Sequence, residues 1–278
     1  MATVVQILEN TLLSIDPLLA NETKRIRLKE ALQSLVLEYI YNHSNYRGLN
    51  FYGGTCLHVI YHLNRLSEDI DLDNSKGIEL DNFGDDLLDH FHRVWGYQDV
   101  DVKHQESQQG IIRETLRFPI LYELGLSPHI DEMLHVKVEI SQHHQVAVIK
   151  RTPVIYLGRS FVPSHFSLET LMAGKMLTCL ERSFQVGETT IAIKGRDFYD
   201  LLWFMQQRIQ PFDQKLESDG AESYNVRSAM LAIQEKVREI KQSDLKNDLL
   251  PLFEQRTFIE AWIASFHENF EEYLQYYI

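Results

Sequence analysis

Cysteine is scarce in this chain. There are two in 278 residues, Cys56 and Cys179, and two cannot build a disulfide framework or a four-thiolate zinc site. Long apolar runs are missing as well, since none approaches the roughly 20 residues that a membrane span needs. The opening segment, MATVVQILENTLLSIDPLLANETKR, is broken by Glu9 and Asp16 and has no basic leader, so it does not read as a signal peptide. Internal repeats, low-complexity tracts and long Pro/Gly linkers are absent too. Nor is there an excess of basic charge: the formal net charge of −13 argues against a protein that coats nucleic acid non-specifically. These absences give the expectation of a cytoplasmic chain with reduced thiols and no membrane partner.

What is present is the composition of a globular protein, 44% hydrophobic and 24% charged. The length suffices for one large domain or two modest ones. The acidity is uneven. Between Lys137 and Arg196 there are eight Lys/Arg against four Asp/Glu, leaving 19 against 36 elsewhere. A weakly basic middle between acidic flanks fits binding of a small polyanion or of one end of a large one; chance variation in solvated faces fits equally well.

Periodicity divides the chain in two. Helical spacing opens it, best over 22–43, where Ile26, Leu28, Ala31, Leu32, Leu35, Leu37 and Ile40 recur. GLNFYGG then predicts a strand running into a glycine turn, TCLHVIYHL a helix, and EDIDLD a strand of period two. A helix is expected near 84–95. YQDVDVKHQ, IIRETLRFPI and HVKVEIS predict further strands, with VIKRTPVIYL pairing onto them. After Pro163 helical patterns dominate, among them SLETLMAGKMLTCLERSF, RDFYDLLWFMQQRI and most of 223–276. The pattern predicts a small α/β unit near 45–160 and an α-helical half near 164–278.

The stretch GGTCLHVIYHLNRLSEDIDLD carries the chemistry. Two glycines at a strand end allow a tight turn and bring N–H groups close to a ligand. Thr55 would cap the following helix, whose positive end faces the same point, an arrangement that suits phosphate. A common turn explains the glycines equally. In a strand, Asp69 and Asp71 project side by side while Ile70 and Leu72 face the core. Adjacent carboxylates repel, and a divalent cation relieves them; hard oxygen ligands with nucleotide phosphates suit Mg²⁺. Asp73 follows two residues on, where the strand is expected to end and the side chain to be solvated. A third carboxylate, able to take a proton from a nucleophilic hydroxyl, is available in Glu139 between Val138 and Ile140, though a solvent-facing position accounts for it too.

These elements together resemble the polymerase-β-like nucleotidyltransferase superfamily. GGTCLH followed by Arg65-Leu66-Ser67-Glu68-Asp69-Ile70-Asp71-Leu72 is similar, more narrowly, to the AbiEii/AbiGii toxin family of bacterial abortive-infection and type IV toxin–antitoxin systems. Lys175 in ETLMAGKMLTCLER and the run Arg196-Asp197-Phe198-Tyr199-Asp200-Leu201 match further motifs of that family. The resemblance implies an α+β protein. Residues 1–162 would form a nucleotidyltransferase domain with a mixed sheet and N-terminal helices. Residues 163–278 would form a helical domain completing the nucleotide cleft. It implies transfer of a nucleoside monophosphate from an NTP to an acceptor, with Mg²⁺ held by Asp69, Asp71 and Glu139. Gly53, Gly54 and Thr55 would lie against the triphosphate, and Lys175 would supply positive charge near it. Asp197 matches an essential acid of the family, in contact with ligand or organising Lys175. Arg65 and Ser67 would order the approach to the strand or reach phosphate, and Arg182, seven residues after Lys175, would add charge from the same helix face. The superfamily's third acid is usually Asp, where this chain has Glu139. The implied acceptor is RNA, a tRNA 3′ end, and the implied partner a cognate antitoxin. Transfer to a small molecule or protein, and a nucleotide-binding regulator without turnover, are the alternatives.

Other patterns carry less. His58 and His62 have the spacing of a helical zinc motif, but Val59 stands where the catalytic Glu would be. Cys56, Cys179 and the aromatics of 198–204 are expected to pack in the core, with Tyr199 also able to stack on a base.

Overall fold

A computed structural model describes residues 2–107, 110–182, 184–186, 189–191 and 194–278. The chain divides into two compact units, Met1–His144 with Ile149–His165, and Gln145–Val148 with Phe166–Ile278.

The first unit begins with two helices, α1 (Val4–Ser14) and α2 (Asn21–Asn42). Thr3 and Gln6 close a reciprocal capping box on α1. The regular apolar spacing of α2 buries it on nearly every side. Then come β1 (Asn50–Tyr52), α3 (Gly53–Tyr61), β2 (Asp69–Asp73), α4 (Phe83–Arg93), β3 (Asp101–Glu106), β4 (Ile111–Phe118) and β5 (Leu134–Ser141). Four short strands follow, β6 (Ile149–Arg151), β7 (Val154–Tyr156), β8 (Arg159–Phe161) and β9 (Ser164–Phe166). Seven of these strands form one mixed sheet in the order β3-β4-β5-β2-β1-β9-β6. β2 runs antiparallel to β1 and parallel to β5, and β4 is antiparallel to β5.

Strand alternation sets the two faces of this sheet. Ile70 and Leu72 of β2 and Val136, Val138 and Ile140 of β5 are buried. Asp69, Asp71, Lys137 and Glu139 come from the alternate positions and are partly exposed. The register then lines the polar residues up in rows: Asp71, Glu139, Arg113 and Gln105 are successive cross-strand partners, and so are Asp69, Lys137, Thr115 and Lys103. On α4, Phe83, Leu87 and Phe91 recur at helical spacing and are buried.

Three expectations are corrected here. VIKRTPVIYL does not extend the β3–β5 side. Pro153, which has no N–H for a ladder, separates β6 at the opposite sheet edge from β7, which pairs with β8 in its own hairpin. The helix after the glycines begins earlier than expected, at Gly53, whose left-handed backbone turns the chain out of β1. Asp73 is buried rather than solvated, as its Oδ2 accepts hydrogen bonds from Asn50 Nδ2 at 2.9 Å and from the Ser75 N–H at 3.3 Å.

The second unit is mainly helical: α5 (Leu168–Glu181), α6 (Gly195–Gln206), α7 (Asp213–Ser218), α8 (Val226–Glu239), α9 (Gln242–Leu249) and α10 (Arg256–Leu274), with a small hairpin of β10 (Phe184–Val186) and β11 (Thr189–Ile191). Ser167 caps α5 through the Thr170 N–H, and Asn225 with Ser228 forms a capping box on α8. Buried Met172, Met176, Phe198, Leu202, Met230, Ile263 and Phe266 build its core. Lys215, buried, donates to Asp219 at 2.6 Å, and Asp219 in turn accepts the Val146 N–H, which ties residues 145–148 to this unit. Among the described residues no helix is long and apolar enough to cross a membrane.

Candidate functional site

The start of α3 is shaped by side chains of the loop and strand that follow it. Gly53 has φ +77, and a Cβ at this position would overlap the Asp71 carboxylate, lying 2.8 Å from its Cγ. A Cβ on Gly54 would stand 2.5 Å from Arg65 Nη2 and 3.2 Å from Ser67 Oγ. Glycine is therefore required at 53, by left-handed backbone and the Asp71 side chain, while at 54 a Cβ would press on the Arg65 guanidinium. Asp71 is thereby seated at the N-terminal, positive end of a helix whose N-cap, Tyr52, offers no side-chain cap.

Thr55 does not cap α3. It lies within the first turn, is buried, and its hydroxyl bonds Ser67 Oγ at 2.8 Å and the Asp69 carbonyl oxygen. Arg65 is buried as well and donates from Nη1 to the Leu66 carbonyl at 3.0 Å. Thr55, Arg65 and Ser67 thus fix the approach to β2 and so the positions from which Asp69 and Asp71 project.

Asp69 and Asp71 stand on one face of β2, with Lys137 Nζ 3.9 Å from Asp69 Oδ1. Glu139 is the cross-strand partner of Asp71, but its carboxylate is held by Arg113. Nε donates to Oε1 at 2.8 Å, and Nη2 reaches the same oxygen at 2.7 Å. Among the described residues no three His, Cys, Asp or Glu side chains come together as a metal site. Two hard carboxylates beside an uncapped helix end fit Mg²⁺, which keeps waters and takes substrate phosphates alongside one or two carboxylates. Glu139, where the structure places it, is not gathered with them.

In the helical unit the motif residues also meet. Lys175 on α5 lies 2.8 Å from Asp197 Oδ1 and 2.9 Å from Asp200 Oδ2, both on the first turns of α6. Arg182 follows the last turn of α5 as its C-cap, with extended backbone, so it does not share a helix face with Lys175; its Nη1 still reaches Asp197 Oδ2 at 3.2 Å. Burial pushes the Asp197 carboxyl up, but Lys175, Arg182 and Arg196 outweigh it and hold the group at about 2. Burial, with Arg196 and Arg182 nearby, lowers the Lys194 ammonium below its ordinary value. Positive charge thus collects around two buried carboxylates, Asp197 and Asp200.

Three residues of the site lie outside the candidates that the sequence offers: Arg113 on β4, Lys137 two residues before Glu139 on β5, and Asp200 inside the Arg196–Leu201 run. The alternation in IIRETLRF and HVKVEIS is the signal that places Arg113 and Lys137 on a strand face. Elsewhere, Tyr199 packs against Phe253 and Trp262 in the core, with ring centroids 4.9 and 4.8 Å away. Cys56 and Cys179 are buried, free thiols, and burial raises both. His58 is structural: Nδ1 faces the Leu63 carbonyl at 2.8 Å and Nε2 lies 3.0 Å from Glu30 Oε1.

No curated protein matches the chain in a sequence search. A structure from H. pylori described as that of a candidate nucleotidyltransferase has a similar fold, with a TM-score of 0.50 at 18% identity over 89% of this chain and 93% of that one. The family model for the nucleotidyltransferase AbiEii toxin of type IV toxin–antitoxin systems matches residues 41–276, which include both carboxylate clusters. The chain therefore belongs to the AbiEii family of toxin nucleotidyltransferases.

Proposed function

We propose that this nucleotidyltransferase moves a nucleoside monophosphate from an NTP to RNA, at a tRNA 3′ end, and that a cognate antitoxin restrains it. The observation that carries the reading is the Asp71 carboxylate seated over Gly53 at the start of α3, with Asp69 beside it on β2. Asp69 and Asp71 would hold Mg²⁺, which neutralises phosphate charge as the leaving group departs. The triphosphate would approach the positive N-terminal end of α3 beside the Asp71 carboxylate, which occupies the space over Gly53. Thr55, Arg65 and Ser67 position the strand from behind rather than touching phosphate. Within the helical unit by itself, Asp197 orients Lys175 and Arg182 as a cluster suited to a phosphate.

In the transfer, the acceptor hydroxyl oxygen forms a bond to the α-phosphorus while the bond from that phosphorus to the bridging oxygen breaks. Pyrophosphate leaves with that electron pair, and the hydroxyl proton passes to Glu139 once that carboxylate has left Arg113. The weakly basic stretch 137–196 in a chain of net charge −13 supports contact with one end of a polyanion rather than a broad nucleic-acid surface.

The test is incubation of purified protein with Mg²⁺, each α-labelled NTP in turn, and total bacterial RNA, beside an Asp69→Ala/Asp71→Ala variant. Label in a tRNA-sized band, lost in the variant, is the expected result. Label found instead in a small molecule or a protein overturns the RNA acceptor and keeps the transfer.

A further inference from the structure

The carboxylate of Glu139 is not shared evenly between its two neighbours in the row. Arg113 lies on one side, in register across β4 and β5, and Asp71 on the other, in register across β2 and β5. Aligned strands stand about 4.8 Å apart, so a flexible glutamate can lean toward either. It leans to Arg113, whose Nε and Nη2 both close on Oε1, while Oε2 accepts no hydrogen bond from the described residues. The pair is not deeply buried, the side chains being 42% and 26% exposed, so solvent moderates its strength and the contact can open.

Leaning toward Asp71 would instead bring it closer to a second carboxylate. Next to Arg113 the glutamate is neutralised and charge-assisted. We infer that Arg113 is a positioning residue that withholds Glu139 from the cation site. The resting site is then a two-carboxylate site, Asp69 and Asp71, and the third acid joins only when the Arg113–Glu139 pair opens. This rests on the reading of Asp69 and Asp71 as the cation ligands. It also explains why three acids placed on adjacent strands are not gathered as a metal site in the structure.

The experiment is Mn²⁺ titration without nucleotide, read by the electron paramagnetic resonance of free Mn²⁺, on five proteins: wild type, Arg113→Gln, Glu139→Gln, the Arg113→Gln/Glu139→Gln double variant, and Asp69→Asn/Asp71→Asn. Far-ultraviolet circular dichroism confirms that each is folded. Arg113→Gln is expected to bind Mn²⁺ about fivefold more tightly than wild type, a change of about 1 kcal/mol. The double variant should match Glu139→Gln, because the gain runs through Glu139. An unchanged or weaker affinity in Arg113→Gln overturns the inference. So does a gain that persists in the Glu139→Gln background, since that is a plain charge effect of the kind Lys137→Gln should produce beside Asp69. Failure of the underlying reading looks different: Asp69→Asn/Asp71→Asn would then bind Mn²⁺ as well as wild type, or no protein would bind it at all.

Discussion

Replacing Gly53 by alanine separates two consequences of one methyl group. The first is backbone strain, because φ +77 lies in the left-handed region and costs a residue with a Cβ about 1–2 kcal/mol. Gly96 supplies the reference: its φ is +62, and among the described residues nothing lies within 4 Å of a Cβ built there. Gly96→Ala is therefore expected to lose about 1 kcal/mol of stability and keep wild-type activity. Gly53→Ala carries the same strain and must also displace the Asp71 carboxylate, which occupies the space of the new methyl. Misplacing a catalytic group by about 1 Å costs on the order of 100-fold in rate. The expected outcome is a urea midpoint close to that of Gly96→Ala, with transfer of labelled nucleotide about 100-fold slower. Equal activities in the two variants would refute the argument that Gly53 exists to seat Asp71.

Arg65→Ala should cost about 2–3 kcal/mol in urea unfolding, because a buried guanidinium that fills the space behind Gly54 is lost; normal stability with a raised KM for NTP would instead mark Arg65 as a phosphate ligand. Asp197 has a carboxyl lowered from 3.8 to about 2, so its contribution is complete above pH about 4 and lost as pH falls through about 2. The lost stability is about 2 kcal/mol, and acid titration of Asp197→Asn should lack that step. His58 behaves oppositely: burial lowers it, but Glu30 and the Leu63 carbonyl outweigh burial and raise it above 6.5. Its contribution is complete below pH about 6.5 and fades as pH rises through the folded-state value, which thermal melts of wild type and His58→Gln across pH 5.5–9 should reveal.

Local geometry made much of this legible in the sequence. Alternation at Asp69, Ile70, Asp71 and Leu72 follows from the strand period alone, and the structure keeps it. The spacing of Ile26 through Ile40 likewise gave α2 almost to its ends. What stayed hidden depends on partners far along the chain. The glycines at 53 and 54 suggested room for a ligand, whereas Asp71 and Arg65 fill their Cβ positions. The burial of Asp73 depends on Asn50, 23 residues earlier, and the local pattern carries no sign of it. Arg113, 26 residues before Glu139, belongs to no motif, and only the sheet register brings the two together. Pro153 is the signal in the sequence that VIKRTPVIYL does not continue as one strand, since it has no N–H for a ladder.

The central claim, that this chain transfers a nucleoside monophosphate from an NTP at a site built on Asp69 and Asp71, is tested most directly by following two labels on the same NTP. With purified protein, Mg²⁺ and total bacterial RNA, the α-phosphate label should enter an RNA product and the γ-phosphate label should leave as pyrophosphate. Both signals should vanish in Asp71→Asn. The γ label appearing in the product, or equal transfer by Asp71→Asn, would contradict the account.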